Sequence, residues 1–229
     1  MLESLKRETL LANRRLVKLG LVTLTWGNAS AISREKGLVV IKPSGVPYNA
    51  MTAKDMVVID LSGKVVGGRR RPSSDSPTHL ALYEAFPTIG GIVHSHSTYA
   101  TIFAQACREI PCFGTTHADA FSGPVPITRL LTKHEVEEQY ERNTGRVIIE
   151  RFRSLDPLAV PGVLVAGHAS FTWGKSVQAA VENNLILERI AEMALHSLAL
   201  NPGLTALPEH IQRKHYERKH GPDAYYGQK

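Results

Sequence analysis

The sequence predicts an α/β chain folded as one three-layer α/β/α domain over residues 1–229. Two observations carry this expectation. Runs of strand length rich in β-branched residues, such as Leu38-Val39-Val40-Ile41, Met56-Val57-Val58-Ile59 and Gly162-Val163-Leu164-Val165, alternate with amphipathic stretches at helical spacing. No repeat, low-complexity segment or long linker separates them, so the elements must share one layered core. With 43% hydrophobic residues, a chain of 229 residues can bury such a core.

Taken in order, residues 2–19 carry leucines and valine at helical spacing up to a stop at Gly20. Residues 23–28 read as a short strand or turn. Strands are expected over 38–41 and 56–59, with Ser62-Gly63 turning the chain into 64–66. A helix over 77–86 has Pro77 in its first turn and Ser76 as cap. A strand ending at His94 is followed by a helix across 99–107. Thr132 and Glu135 form a capping-box signature that opens a helix over 133–142. A further helix near 147–153 precedes a strand-like run ending at His168. The pattern from Ser176 to Leu200 marks a long helix halted by Asn201-Pro202-Gly203, and a last helix over 209–220 is closed by Gly221-Pro222.

Composition excludes several classes. Charged residues are 21% of the chain, which suggests neither disorder nor a membrane span. No stretch approaches the ~18 uncharged apolar residues that a spanning helix needs. The first eight residues alternate charge with leucine, as an amphipathic helix does and a signal peptide does not. The net charge of +6 is densest at Arg69-Arg70-Arg71 and from Arg213 to Lys219. These runs match no nucleic-acid-binding motif, so no nucleic-acid partner is expected. They suit a solvated surface, and equally an enzyme that attracts a small phosphorylated substrate. Cys107 and Cys112 match no zinc or redox spacing, which points to a reduced, cytoplasmic compartment. Gly174-Lys175-Ser176 imitates the end of a nucleotide-binding loop, but Ala169 stands where that loop requires glycine.

The candidate chemistry lies in the histidines. His94 and His96 are two apart at the end of an apolar strand, so their imidazoles share one face. His168 ends a second strand-like run. Three imidazoles leaving room for an exogenous ligand is the pattern of an open, catalytic metal site. Lys42-Pro43-Ser44-Gly45 and Pro72-Ser73-Ser74-Asp75-Ser76 are loops of small hydroxyls and glycine that could cradle an anion, with Gly27-Asn28 as a third contributor. Each is also compatible with an ordinary turn. Asp75 reads either as a helix cap or as a carboxylate beside the metal, and Asp119 as a turn aspartate. The adjacent Tyr225 and Tyr226 are unusual for a chain tip unless something buries them.

Thr25-Trp26-Gly27-Asn28, Lys42-Pro43-Ser44-Gly45, Pro72-Ser73-Ser74-Asp75-Ser76-Pro77-Thr78-His79, Gly90-Gly91-Ile92-Val93-His94-Ser95-His96 and Gly114-Thr115-Thr116-His117-Ala118-Asp119 occur in this order, ahead of Tyr225-Tyr226-Gly227-Gln228. The ordered set closely resembles the L-ribulose-5-phosphate 4-epimerase family, within the class II aldolase-like superfamily. The resemblance runs along nearly the whole chain. It implies a central, largely antiparallel or mixed sheet. It also implies a divalent metal, zinc or alternatively manganese or cobalt, held by His94, His96 and His168 with Asp75 nearby. Gly27, Asn28, Lys42, Ser44, Gly45, Ser73 and Ser74 would bind the substrate through its phosphate. The acid/base pair would be Asp119 and Tyr226, the latter offered by a neighbouring subunit of a homotetramer with active sites at subunit interfaces. Two departures stand out. Where the family often reads His-Gly-Pro-Phe, this chain has His168-Ala169-Ser170-Phe171, and Ala120 replaces the usual tyrosine after Asp119.

The implied reaction, an isomerisation in L-arabinose catabolism, is chemically demanding. The ketone of a 2-pentulose lies at C2, so the C4 hydrogen is not acidic and C4 cannot be inverted by proton exchange. Retro-aldol cleavage of C3–C4 instead gives an enediolate and glycolaldehyde phosphate. A divalent metal can stabilise the first, and the phosphate loops can tether the second while it rotates. Re-addition to the other carbonyl face gives the epimer. Two proton carriers are needed, one for each face. In the related fuculose-phosphate aldolases a glutamate stands at the Asp75 position, so Asp75 favours epimerase over aldolase. The adducin head, a scaffold of the same fold, lacks the histidines.

Overall fold

A computed structural model describes residues 2–226. Seven strands form one sheet: β1 (Asn28–Ser33), β2 (Leu38–Ile41), β3 (Val57–Asp60), β4 (Val65–Gly67), β5 (Gly91–Ser95), β6 (Gly162–Leu164) and β7 (Ser170–Gly174), in the order β4-β3-β2-β1-β5-β7-β6. Every pairing of neighbouring strands is antiparallel, as expected for this class. The helices are α1 (Leu2–Lys18), α2 (Ser76–Ala85), α3 (Thr98–Gln105), α4 (Thr115–Ala118), α5 (Lys133–Arg151), α6 (Val177–Leu200) and α7 (Glu209–His220).

The period-2 alternation of the strands sorts their side chains onto two apolar faces. Val39, Ile41, Val57, Ile59 and Ile92 point into a core shared with Leu82, Tyr83 and Phe86 of the α2 region and Ile148 of α5. Val40 and Val58 pack instead with Leu10 of α1, and Val93 with Leu16 of α1 and Val181 of α6. The sheet is thus sandwiched between helices. Two close approaches need glycine. A Cβ on Gly91 would collide with the backbone of Val177, and one on Gly90 with that of Lys175. Strand β5 therefore lies directly against the start of α6.

The structure corrects several expectations. β1 is a central, buried strand, although its sequence Asn-Ala-Ser-Ala-Ile-Ser carries only one β-branched apolar residue. Ala29 and Ala31 are small because α1 packs onto them. Phe171 and Trp173, just ahead of the loop-like Gly174-Lys175-Ser176, lie two apart on β7, and both are buried in the main core. The β6 run stops at Leu164. Residues 166–168 form a turn with Gly167 at φ +71°, so His168 lies in the β6–β7 turn and not on a strand. Asp75, not Ser76, occupies the cap position of α2, and its side chain makes no capping bond. The two helices expected over 133–142 and 147–153 are one element, bent at Gln139, where φ −146° and ψ 69° leave the helical region. The Thr132–Glu135 capping box forms as expected.

Candidate active site

Three adjacent central strands bring the site residues to one end of the sheet. Asn28 of β1 pairs with His94 of β5, and His94 pairs with Phe171 of β7. His96 leaves β5 just past its last residue, and His168 sits two residues before β7 begins. Gly27, at φ +108°, lets the chain pass against the β5 backbone, since a Cβ there would lie 2.8 Å from the His94 carbonyl oxygen.

The three imidazoles face one another. Ring centroids are 4.9 Å apart for His94–His96 and 5.0 Å for both His94–His168 and His96–His168, and one ring nitrogen from each lies within 4.8 Å of the other two. His94 stacks on Phe171 at 4.2 Å, and its Nδ1 lies 3.0 Å from the Ser170 carbonyl oxygen. A carbonyl can only accept, so Nδ1 donates, and Nε2 is the nitrogen left over for a ligand. Burial, reinforced by the neighbouring imidazoles, pushes His96 and His168 down to about 4, so both are neutral at physiological pH. Three imidazoles converging on one point with an open side fit a divalent ion.

Asp75 lies outside this group of three. Its Oδ2 accepts from Asn28 Nδ2 at 2.6 Å, and Ser73 Oγ is 3.4 Å away. Burial alone would raise its carboxyl. The nearby His94 and His79 and the Asn28 bond outweigh that and hold it below the usual carboxylate range. Lys42 is buried, with Nζ 4.8 Å above the Tyr48 ring, and burial lowers its ammonium against the opposing pull of Asp75. The two hydroxyl-rich loops are laced together. Ser44 N–H donates to Arg71 O, Ser73 N–H donates to Lys42 O, and Pro43 bridges Pro72.

A cavity of about 660 Å³ joins these parts. The expected Gly27, Asn28, Lys42, Ser44, Gly45, Ser73, Ser74, Asp75, His94, His96 and His168 all line it. Trp26, Tyr140 and Glu141 also line it, and sequence reasoning gave them no role. Trp26 lay in plain view within the Thr25-Trp26-Gly27-Asn28 motif. Tyr140 and Glu141 carried no signal, because an unbroken α5 would have placed them elsewhere.

Asp119 and Tyr226 do not line this cavity. Asp119 follows α4 and is bound to α7. Arg218 Nη2 donates to its Oδ2 at 2.7 Å and Arg218 Nε to its Oδ1 at 3.0 Å, with His215 Nδ1 3.0 Å from Oδ1. Lys219 Nζ is 3.3 Å from Oδ2. Partial burial favours protonation of Asp119, but these cations and hydrogen bonds keep its carboxyl below the usual range. Tyr226 lies over the same two cations, its ring centroid 4.8 Å from Arg218 Cζ and 4.5 Å from Lys219 Nζ. The N–H groups of Tyr225 and Tyr226 both donate to Arg218 O. The described part of the tail is thus ordered by its own α7. Gly227 and Gln228 of the tail motif lie outside the described residues. Asp119 and Tyr226 form one cluster, away from the histidines of the same chain.

Two further imidazoles are buried without belonging to the ligand set. Burial pushes His79 down to about 3 and His117 to about 4, from an ordinary 6.5. Between those values the unfolded chain binds protons that the folded chain does not, so stability falls as pH drops from about 6.5 towards 4. The unfolding free energy is expected to be lower at pH 5 than at pH 7.5 by on the order of 2 kcal/mol per buried imidazole, with a lower urea midpoint to match. Equal midpoints at the two values would contradict the neutral, buried state.

Residues 7–195 match the family described as class II aldolase and adducin N-terminal domain. Among curated relatives, proteins named L-ribulose-5-phosphate 4-epimerase UlaF from Salmonella typhi and from Salmonella paratyphi A are each 54% identical over 228 residues, covering the full length of both chains. Among solved structures, an L-fuculose 1-phosphate aldolase has a TM-score of 0.78 at 29% identity, covering 94% of this chain and 95% of its own. An L-fuculose 1-phosphate aldolase from Glaciozyma antarctica PI12 has a TM-score of 0.77 at 20% identity, covering 97% of this chain and 84% of its own, and supports the fold alone. With the family match spanning most of the chain and full-length relatives at this identity, the protein belongs to the class II aldolase and adducin N-terminal domain family.

Proposed function

We propose that this protein interconverts L-ribulose 5-phosphate and D-xylulose 5-phosphate by cleaving and remaking C3–C4. The observation that carries this reading is full-length identity of 54% to the L-ribulose-5-phosphate 4-epimerases named above, joined to a cavity holding both the histidines and the hydroxyl loops. His94, His96 and His168 would hold a divalent ion, zinc or alternatively manganese or cobalt. When bound, such an ion supplies Lewis acidity for the charge that bond cleavage leaves on the substrate oxygens.

The protein's own groups account for the rest. Ser44, Ser73, Ser74 and the Lys42 ammonium, with the backbone at Gly27, Asn28 and Gly45, bind the phosphate. They keep the cleaved aldehyde in place, so re-addition remains intramolecular. Asn28 ties Asp75 to this loop, holding the carboxylate beside the histidines. Asp119 and Tyr226 are the two proton carriers for the C4 oxygen, one on each face. Since neither lines the cavity of its own chain, a second copy must bring them, which supports a homo-oligomer, most simply a tetramer with interfacial sites. The unpaired Cys107 and Cys112 agree with a cytoplasmic enzyme of pentose catabolism, and residues 1–229 would act as one catalytic domain. No helix among the described residues is long and apolar enough to cross a membrane.

The test is to incubate the purified protein and a divalent metal with L-ribulose 5-phosphate and to follow both D-xylulose 5-phosphate and free glycolaldehyde phosphate. The expected result is metal-dependent formation of the xylulose ester with little free aldehyde. Accumulation of the aldehyde without the xylulose ester would make the protein an aldolase, and no turnover at all would favour a scaffold role.

A further inference from the structure

We propose that Tyr140 is a positioning residue for His168, and that the break in α5 exists to deliver it. The inference rests on the reading of the three histidines as a metal centre. Tyr140 Oη lies 3.3 Å from His168 Nδ1 and lines the cavity. A ligating imidazole gives one nitrogen to the metal and donates the N–H of the other to an acceptor that fixes its tautomer and orientation. His94 uses the Ser170 carbonyl for this, through Nδ1. For His168 the corresponding acceptor is the Tyr140 hydroxyl, so in both residues Nδ1 is occupied and Nε2 is left for the centre. Burial, with Asp75 nearby, raises the Tyr140 phenol, which stays protonated and neutral beside the ring.

The backbone around Tyr140 is built for this placement. A regular helix through Gln139 would carry Tyr140 along the α5 axis, but the chain leaves helical geometry there and resumes it afterwards. Breaking a helix strands carbonyls that would otherwise accept along the axis, and buried groups of this kind need partners. One buried side chain partners such a carbonyl before the break, that of Glu135, and two more pin the first turn of the helix that resumes after it. Asn143 Nδ2 donates to Glu135 O at 2.8 Å, Thr144 Oγ1 donates to Tyr140 O at 2.9 Å, and Thr78 Oγ1 of α2 donates to Glu141 O. A break held on both flanks by buried side-chain bonds is a built feature of the chain and not a frayed end. It lies where a helix would otherwise carry Tyr140 past the histidines.

The test uses metal-stripped wild type and Tyr140→Phe, a change that keeps the ring and removes only the hydroxyl. Each is titrated with Co²⁺ against a chromophoric chelator while the visible d–d bands are recorded, and melting of the metal-free proteins checks the fold. Tyr140→Phe is expected to melt as wild type does, to bind Co²⁺ roughly 10–100-fold more weakly, and to show altered d–d bands. Equal affinity and identical bands in the two proteins would overturn the role of Tyr140 while leaving the metal centre intact. Failure of the wild type itself to take up Co²⁺ would overturn the metal reading, and this proposal with it.

Discussion

His96→Asn is expected to lose bound metal and turnover together while leaving the metal-free fold unchanged. His96 leaves β5 at the sheet's end and is only partly buried, so trimming its ring removes little packing. It does remove one of three nitrogens held within 4.8 Å of each other. Two imidazoles bind a divalent ion far more weakly than three, and the Lewis acidity lost is worth several kcal/mol. A deficit of about 4 kcal/mol corresponds to a roughly thousandfold fall in rate. Elemental analysis of the purified variant, alongside turnover of L-ribulose 5-phosphate, checks both halves. A variant that keeps full metal content and full activity would show that the charge-stabilising centre lies elsewhere in the cavity.

The histidine pair was legible because two-residue spacing on a strand has one geometric meaning, and the hydroxyl loops because glycine and serine after a strand have few uses. His168 was found as a residue but misplaced onto a strand, since Val165 and Ala166 extend the apolar run past the turn that Gly167 makes. What escaped detection had no local signature. β1 is a central strand made of small residues because α1 presses against it, a tertiary fact that no propensity reports. Trp173 is shown to be core only by the antiparallel pairing with Ile92. Tyr140 depends on a helix break stabilised by Asn143, Thr144 and Thr78, whose combined effect exists only once α2 and α5 are packed.

Tyr226→Phe is expected to retain metal and fold but to lose epimerisation by roughly 10²–10⁴-fold, the usual worth of a positioned proton carrier. The phenyl ring keeps the contact over Arg218 and Lys219, so only the hydroxyl is removed. Subunit mixing makes the prediction sharper. Arg218 binds Asp119 through its guanidinium, lies beneath the Tyr226 ring, and accepts the tail's N–H groups at its carbonyl. On the proposed roles, Asp119 and Tyr226 would therefore travel as one unit into the same neighbouring cavity. Reassembling His96→Asn with Tyr226→Phe chains should restore activity in roughly a quarter of sites, where an intact centre meets an intact tail across a head-to-tail interface. Mixing Asp119→Asn with Tyr226→Phe should restore nothing, because every tail then lacks one of its two proton carriers. If that second mixture regains activity, Asp119 works in its own chain's cavity, and the Arg218-linked cluster seen within one chain comes apart when the oligomer forms.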